Sequence, residues 1–139
     1  MRLPIIILAV TAAASASAFA QKPSPLSTPA PASGTGLEPG QCFRSSEMRN
    51  HTIGDRNTLL LDVQGKGAYR VTMKGSCLAG ASSSDPIVTR SPPGSTIICK
   101  PIDMDISISR GGFASPCIVD SIAKMSPEEV AALPPRLRP

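Results

Sequence analysis

The chain has 139 residues, a formal net charge of +4 and an aromatic content of 3%. A chain of this length has room for one domain with one modest core, and the scarcity of aromatic side chains leaves that core to Ile, Leu, Val and Met. The Lys and Arg residues are scattered singly and are not interleaved with aromatic side chains, which argues against a nucleic-acid partner.

Residues 1–20 have the pattern of a secretory signal peptide. Met1-Arg2 is a charged start, Ile5–Val10 is an apolar run, and Ala18-Phe19-Ala20 is a small-x-small cleavage pattern. The apolar run is too short to span a bilayer, and Gln21 rather than a cysteine follows the cleavage point. The sequence therefore predicts a periplasmic or secreted protein that is soluble after cleavage near Ala20, with no membrane span.

Residues 21–40 predict a disordered linker. Residues 22–40 contain five prolines and three glycines but few apolar side chains that a core could bury. We expect the folded part to begin at Gln41, so that residues 41–139 form a single β-rich domain.

The clearest local pattern predicts a β-hairpin. Apolar and polar side chains alternate along Thr58–Val63 and Tyr69–Lys74, and the turn lies around Gly65–Gly67. A three-residue loop at this turn would place Val63 opposite Tyr69, so that the apolar side chains of both strands share one face.

Short strands and one helix are expected in the rest of the chain. The strands are Ile87–Thr89, Thr96–Cys99, Ile102–Ser109 and Cys117–Ala123, with a turn at Arg110-Gly111-Gly112. The inward side chains of the third of these would be Ile102, Met104, Ile106 and Ile108. Ser126 as N-cap, Pro127 at the first helical position and Glu129 as a capping-box partner predict a helix over about residues 127–133.

These patterns predict a mainly β fold, a small antiparallel sheet or barrel-like domain of about five to seven short strands with one C-terminal helix. Four cysteines, Cys42, Cys77, Cys99 and Cys117, would tie it together as disulfides. Their spacing contains no Cys-x-x-Cys pair, which disfavours a metal site or a redox centre. Three pairings are possible. The nested one, Cys42–Cys117 with Cys77–Cys99, is favoured because it closes the Gly/Ser/Pro-rich excursion and joins the start of the domain to its last strand.

Two groups of residues are candidates for chemistry. His51 is the only histidine and would have to be the base of a Ser-His or Cys-His hydrolase. Asp103 and Asp105 would share one face of a strand at a separation of about 7 Å, a pattern that serves glycoside hydrolysis or calcium binding. We interpret His51 as a surface residue and the aspartates as a solvated face, and we expect no cofactor, no metal and no catalytic residue.

A set of short motifs carries a resemblance to a known family. They include Cys42-Phe43-Arg44-Ser45, Tyr69-Arg70-Val71-Thr72-Met73, Pro116-Cys117-Ile118-Val119 and Met125-Ser126-Pro127-Glu128-Glu129-Val130. The chain resembles an uncharacterised family of small exported proteobacterial proteins with four cysteines, a domain-of-unknown-function family, over about residues 41–133. The resemblance implies a periplasmic setting and a β-rich domain, and it implies no activity, cofactor or catalytic residue.

The function predicted from the sequence is a monomeric, non-catalytic periplasmic or secreted module that binds a protein or an envelope component. The alternative is a small periplasmic hydrolase that uses His51 or the Asp103/Asp105 pair.

Overall fold

The structure is a computed structural model that describes residues 36–90 and 96–139. The predicted signal peptide and residues 21–35 of the predicted linker lie outside the described residues. Within the remaining part of that linker, Leu37 packs against the core and its N–H donates a hydrogen bond to the carbonyl oxygen of Cys99 at 2.7 Å. The contacts of the domain therefore include residues before Gln41.

The described residues form short strands, one α-helix and three 3₁₀ turns. The strands are β1 (Phe43–Arg44), β2 (Met48–Ile53), β3 (Thr58–Val63), β4 (Gly67–Met73), β5 (Ile87–Arg90), β6 (Ile97–Ile98), β7 (Asp105–Arg110), β8 (Phe113–Cys117) and β9 (Val119–Lys124). The helix α1 is Pro127–Ala132, and the 3₁₀ turns are Ser45–Glu47, Pro101–Asp103 and Pro135–Leu137.

The strands make three antiparallel sheets, which confirms the predicted mainly β fold with one short C-terminal helix. The central sheet has the order β2-β3-β4-β9, the small sheet has the order β5-β7-β8, and β1 pairs with β6. The sheets do not close into a barrel. The chain passes directly from the small sheet to the central sheet between β8 and β9. At the other ends of these two sheets, β2 and β5 are edge strands without a second neighbour among the described strands.

One apolar cluster joins the three sheets. Its members from the central sheet are Leu59, Leu61, Val63, Tyr69, Val71, Met73, Val119 and Ile122, and those from the small sheet are Ile106, Ile108 and Cys117. The β1–β6 pair adds Phe43 and Ile98, and the ring of Phe43 lies 4.7 Å from that of Tyr69, centroid to centroid. Strand alternation sends these side chains to one face, so their burial holds the sheets together.

The predicted hairpin is present, but its predicted register is wrong. Val63 pairs with Gly67 and Leu61 pairs with Tyr69. The turn closes earlier than expected because the N–H of Lys66 donates to the carbonyl oxygen of Val63 at 3.0 Å, with Gly65 at a φ of +73° that glycine adopts without steric cost. The difference is two residues, which preserves the facing of every side chain, so the apolar face is buried as predicted.

The strand predicted at Ile102–Ser109 is shorter than expected. Pro101–Asp103 is a 3₁₀ turn and β7 begins at Asp105, so Ile102 is 84% exposed instead of facing inward. Alternation continues only from Met104 onward, where the predicted inward side chains are buried.

The strand predicted at Cys117–Ala123 belongs to two strands. Cys117 ends β8, which was not predicted, and β9 follows after Ile118. A two-residue turn of Gly111 and Gly112, with φ of +56° and +84°, brings Arg110 opposite Phe113 and starts β8. Two consecutive residues with positive φ are what a tight hairpin turn requires.

The predicted helix start is confirmed. The hydroxyl of Ser126 accepts from the N–H of Glu129, and the Glu129 carboxylate accepts from the N–H of Ser126 at 2.8 Å. Helix α1 and the residues after it cover the outer face of the central sheet, where Val130, Leu133 and Leu137 pack against Leu60, Ala68 and Met125. Both faces of this sheet are therefore covered with apolar side chains.

The predicted nested disulfide pairing is wrong. The bonds are Cys42–Cys99 and Cys77–Cys117, and they interleave along the chain. Pairing of β1 with β6 explains the first bond. Phe43 lies opposite Ile98, and one step further along the ladder Cys42 reaches Cys99 with a Cα–Cα distance of 4.6 Å. The second bond joins the loop after β4 to the end of β8, with a Cα–Cα distance of 5.6 Å.

The disulfides are expected to account for much of the stability. Their sequence separations are 57 and 40 residues. In the chain-entropy model, a loop of either length corresponds to about 4 kcal/mol, comparable to the whole stability of a small domain. We predict that a reducing agent unfolds the domain. Circular dichroism and the melting temperature, measured with and without the reducing agent, check this. A reduced protein that melts at the temperature of the oxidised one would contradict this.

Tyr69 gives a second prediction. Burial is the larger cause, and the nearby charge of Glu47 the smaller one, of a raised pKa of the phenol, above its ordinary 10.0. The hydroxyl donates a hydrogen bond to the carbonyl oxygen of Gln41 at 2.7 Å. Because the pKa of Tyr69 is higher in the folded state than in the unfolded state, the protonated phenol stabilises the fold. This stabilisation is complete below the pKa of the unfolded state and is lost as the pH rises through the pKa of the folded state.

Because Tyr69 is the only tyrosine and the chain has no tryptophan, its tyrosinate absorbance reports this residue alone. We expect a midpoint above 10.0 in the native protein and near the ordinary value in denaturant. Tyr69→Phe should cost about 1 kcal/mol at neutral pH, through the lost hydrogen bond, and reduce the loss of stability in alkali. Equal midpoints in the two states would contradict the assignment.

Candidate functional site

Two concave surfaces lie at opposite joins of the sheets. The first, which we call the seam cleft, lies between the edge strands β2 and β5 and has a volume of about 300 Å³. Its walls are formed by Met48, Arg49, Asn50 and His51 on one side and by Pro86, Ile87 and Thr89 on the other. Leu61 and Ile106, one from each sheet, line it from the core, and Ser45 completes the lining.

The β2 wall presents main-chain groups to the open side. Gly54 donates its N–H to the carbonyl oxygen of Thr58 at 2.9 Å, and in an antiparallel ladder the main-chain groups of successive residues point alternately toward and away from the neighbouring strand. The main-chain groups of Ile53 and His51 therefore point away from β3. The N–H of Ile53 confirms this direction, since it donates to the hydroxyl of Ser83 at 3.0 Å.

The β5 wall is arranged in the same way. The N–H of Ser109 donates to the carbonyl oxygen of Pro86 at 2.9 Å, which fixes the phase of the β5–β7 ladder. The main-chain groups of Ile87 and Thr89 consequently point away from β7. The seam cleft is thus bordered by two open strand edges.

His51, the predicted candidate base, lies in this cleft and is half-buried. Its Nε2 lies 3.1 Å from the carbonyl oxygen of Asp85. A carbonyl oxygen only accepts, so Nε2 is the donor in this bond and the ring ties the loop before β5 to the edge of β2. The bond orients His51 toward main chain, and neither Asp103 nor Asp105 lines the cleft.

The second surface, which we call the isoleucine groove, lies where the chain passes from β8 to β9. It has a volume of about 400 Å³. Ile102 and Ile118 are its most exposed apolar side chains, at 84% and 67% exposure. Met104, Cys117 and Val119 contribute buried side chains, and the charged side chains around it belong to Lys74, Asp105 and Asp120.

The predicted placement of Asp103 and Asp105 on one strand face is wrong. Asp103 lies in the 3₁₀ turn, and its carboxylate accepts from the N–H groups of Cys99 at 3.1 Å and Lys100 at 2.8 Å. Asp105 is the first residue of β7, where it is exposed, lies opposite Arg90 and lines the isoleucine groove. The Asp103 carboxylate therefore orders the turn that carries Ile102.

Sequence reasoning missed the isoleucine groove, although one signal was available. Cys117 is a disulfide candidate and Val119 is an apolar strand residue, and both types favour inward positions. Alternation in an extended chain then places the residue between them, Ile118, on the outward side. An isoleucine at an outward position departs from ordinary alternation. The exposure of Ile102 has no such signal in the sequence, because Ile102 stands in phase with the alternating residues that follow it.

The architecture defines a class of small, mostly β domain crosslinked by two disulfides. The chain belongs to a family of unknown function, DUF6491, whose model matches residues 1–138. No curated protein and no solved structure matches it. Within residues 36–90 and 96–139, none of the helices is long and apolar enough to cross a membrane.

The roles of the two aspartates lead to a prediction. Asp103→Ala removes the acceptor of two main-chain N–H groups and should lower the free energy of unfolding by about 1–2 kcal/mol, whereas Asp105→Ala should change it by less than about 0.5 kcal/mol. Denaturant unfolding of the two variants beside the parent chain measures both values. Equal losses for the two variants would show that the Asp103 hydrogen bonds do not hold the turn.

Proposed function

We propose that this protein is a non-catalytic module that is exported to the periplasm, or secreted, and binds another protein through the isoleucine groove. The observation that carries the proposal is the pair of isoleucines, Ile102 and Ile118, which stand exposed beside one groove.

Export is supported by the cysteines and by the start of the chain. All four cysteines are in disulfides, which persist in oxidising compartments and are rare in the cytosol. Residues 1–20 have the pattern of a signal peptide, and the family model extends over them. The likeness to exported proteobacterial proteins favours the periplasm of a Gram-negative cell.

The surroundings of the isoleucines support a binding surface rather than a packing accident. Ile102 is in a turn ordered by the Asp103 carboxylate, and Ile118 follows the disulfide-bonded Cys117. Both side chains therefore stand on main chain that is already ordered. Binding of a partner over them costs this protein little further conformational entropy.

The energy available from this surface fits a modest protein interface. Full burial of one isoleucine side chain stabilises a complex by about 1.5–3 kcal/mol. The charges beside the groove, one Lys and two Asp residues, give it a polar rim of mixed sign that is typical of protein interfaces. A rim with two carboxylates is a poor match for anionic lipid, so we assign the groove to a protein.

The test places a photo-crosslinking amino acid at position 118 or, as a control, at position 128 on the exposed side of helix α1, in the cells that make the protein. We expect one identified exported protein to crosslink at 118 and not at 128. Its affinity for the purified chain should fall by at least about tenfold in the double variant I102S/I118S, since both burial contributions are lost.

Val88→Ser is the matched control, because Val88 is also exposed but does not line the groove. The melting temperature of each variant checks the fold. The proposal is overturned if no protein crosslinks at 118 above the level at 128. It is also overturned if the double variant binds as the parent does, or if the parent chain binds anionic vesicles or cell-wall fragments through this groove instead.

A further inference from the structure

We propose that the seam cleft binds an extended segment of a partner protein, which adds as a strand between β2 and β5. This goes beyond the proposed function and does not depend on it, because the seam cleft and the isoleucine groove have no lining residue in common.

Main-chain groups of both edge strands face the open side of the seam. His51 on β2 and Ile87 and Thr89 on β5 point their N–H and carbonyl groups away from their own sheets, toward the open edges that border the cleft. Open strand edges are templates for another strand, and strand addition is a common mode of peptide recognition. A segment inserted here would have an edge on each side and would join the central and small sheets.

The lining of the cleft defines which side chains the segment carries. Toward the core the cleft meets Leu61 and Ile106, so the inward positions of the segment are apolar. Arg49 and His51 line the wall, and no carboxylate is among the described lining residues. The guanidinium of Arg49 donates to the neutral amide oxygen of Gln64, so its charge is available to an acidic side chain of the ligand. The ligand is therefore an extended segment with alternating apolar residues and at least one Asp or Glu.

The composition of the chain favours a partner over its own N-terminal segment. Residues 22–40 contain five prolines, at positions 23, 25, 29, 31 and 39. Proline has no N–H to give to a strand edge, and prolines two residues apart remove consecutive donors from the same edge. The charged side chains of that segment are Lys22 and Glu38. Lys22 has the same charge as Arg49 and would be repelled by it.

The experiment selects short linear peptides by phage display on the full-length mature chain with its disulfides intact, and measures the affinity of the selected peptides by titration calorimetry. We expect peptides that lack proline and that alternate apolar residues with at least one acidic residue.

Thr89→Pro is the decisive variant. Its main-chain N–H faces the open edge, so proline removes the donor to the peptide without removing a bond to β7. We expect the affinity to fall about tenfold in Thr89→Pro and by less than about threefold in Thr89→Ala, which loses a side chain that lines the cleft but retains the main-chain N–H. Arg49→Gln should lower the affinity for acidic peptides about threefold. It should not lower the affinity for peptides whose acidic residue is replaced by its amide. Arg56→Gln, outside the cleft, should change neither affinity.

Amide hydrogen exchange by NMR provides a second measurement on the unmodified chain, should Thr89→Pro fail to fold. The N–H groups of His51, Ile87 and Thr89 should exchange more slowly when a selected peptide is present. The proposal is overturned if no peptide is selected, or if selected peptides leave these three amides unprotected. It is likewise overturned if light scattering shows that the chain alone is a dimer and that Thr89→Pro converts it to a monomer, since a second copy would then occupy the cleft.

Discussion

Two interleaved disulfides are the constraint on which the rest of this structure depends. Among residues 36–90 and 96–139, the core contains two aromatic rings, Phe43 and Tyr69, and it is shared among three small sheets that are not all hydrogen-bonded to one another. Cys42–Cys99 closes the β1–β6 pair beside Phe43, and Cys77–Cys117 ties the central sheet to the small one. Each disulfide joins a residue inside the loop closed by the other disulfide to a residue outside that loop. The central and small sheets therefore stay linked while both disulfides are intact.

This constraint also explains how the domain tolerates an incomplete sheet. At one join the chain passes directly from β8 to β9, and at the other join β2 and β5 face a cleft without pairing. A closed barrel would satisfy both edges. Here the disulfides and the shared apolar cluster link the sheets although the described strands β2 and β5 do not pair.

The two candidate surfaces use different physical chemistry. The isoleucine groove has exposed apolar area, and the binding energy proposed for it comes from removing those side chains from water. The seam cleft has main-chain groups in a fixed direction, with an apolar floor and a basic wall, and the selectivity proposed for it comes from main-chain geometry. Asp103 and His51, which appeared from the sequence as candidates for chemistry, make hydrogen bonds to main-chain groups that position the turn of one surface and the wall of the other.

The sequence by itself determined the local features whose causes lie within a few residues. Alternation between positions 58 and 74 specified which side chains face the core, and the Ser126 and Glu129 pair specified where the helix begins. The same alternation did not reveal that Ile102 lies in a 3₁₀ turn, because the Asp103 hydrogen bonds that order the turn leave no periodic signal. Only the tertiary structure decided the disulfide pairing, since Cys42 meets Cys99 through the pairing of two-residue strands far apart in the chain. It also decided which strand edges stay open, because an edge is a property of the whole sheet and is not encoded in any one strand.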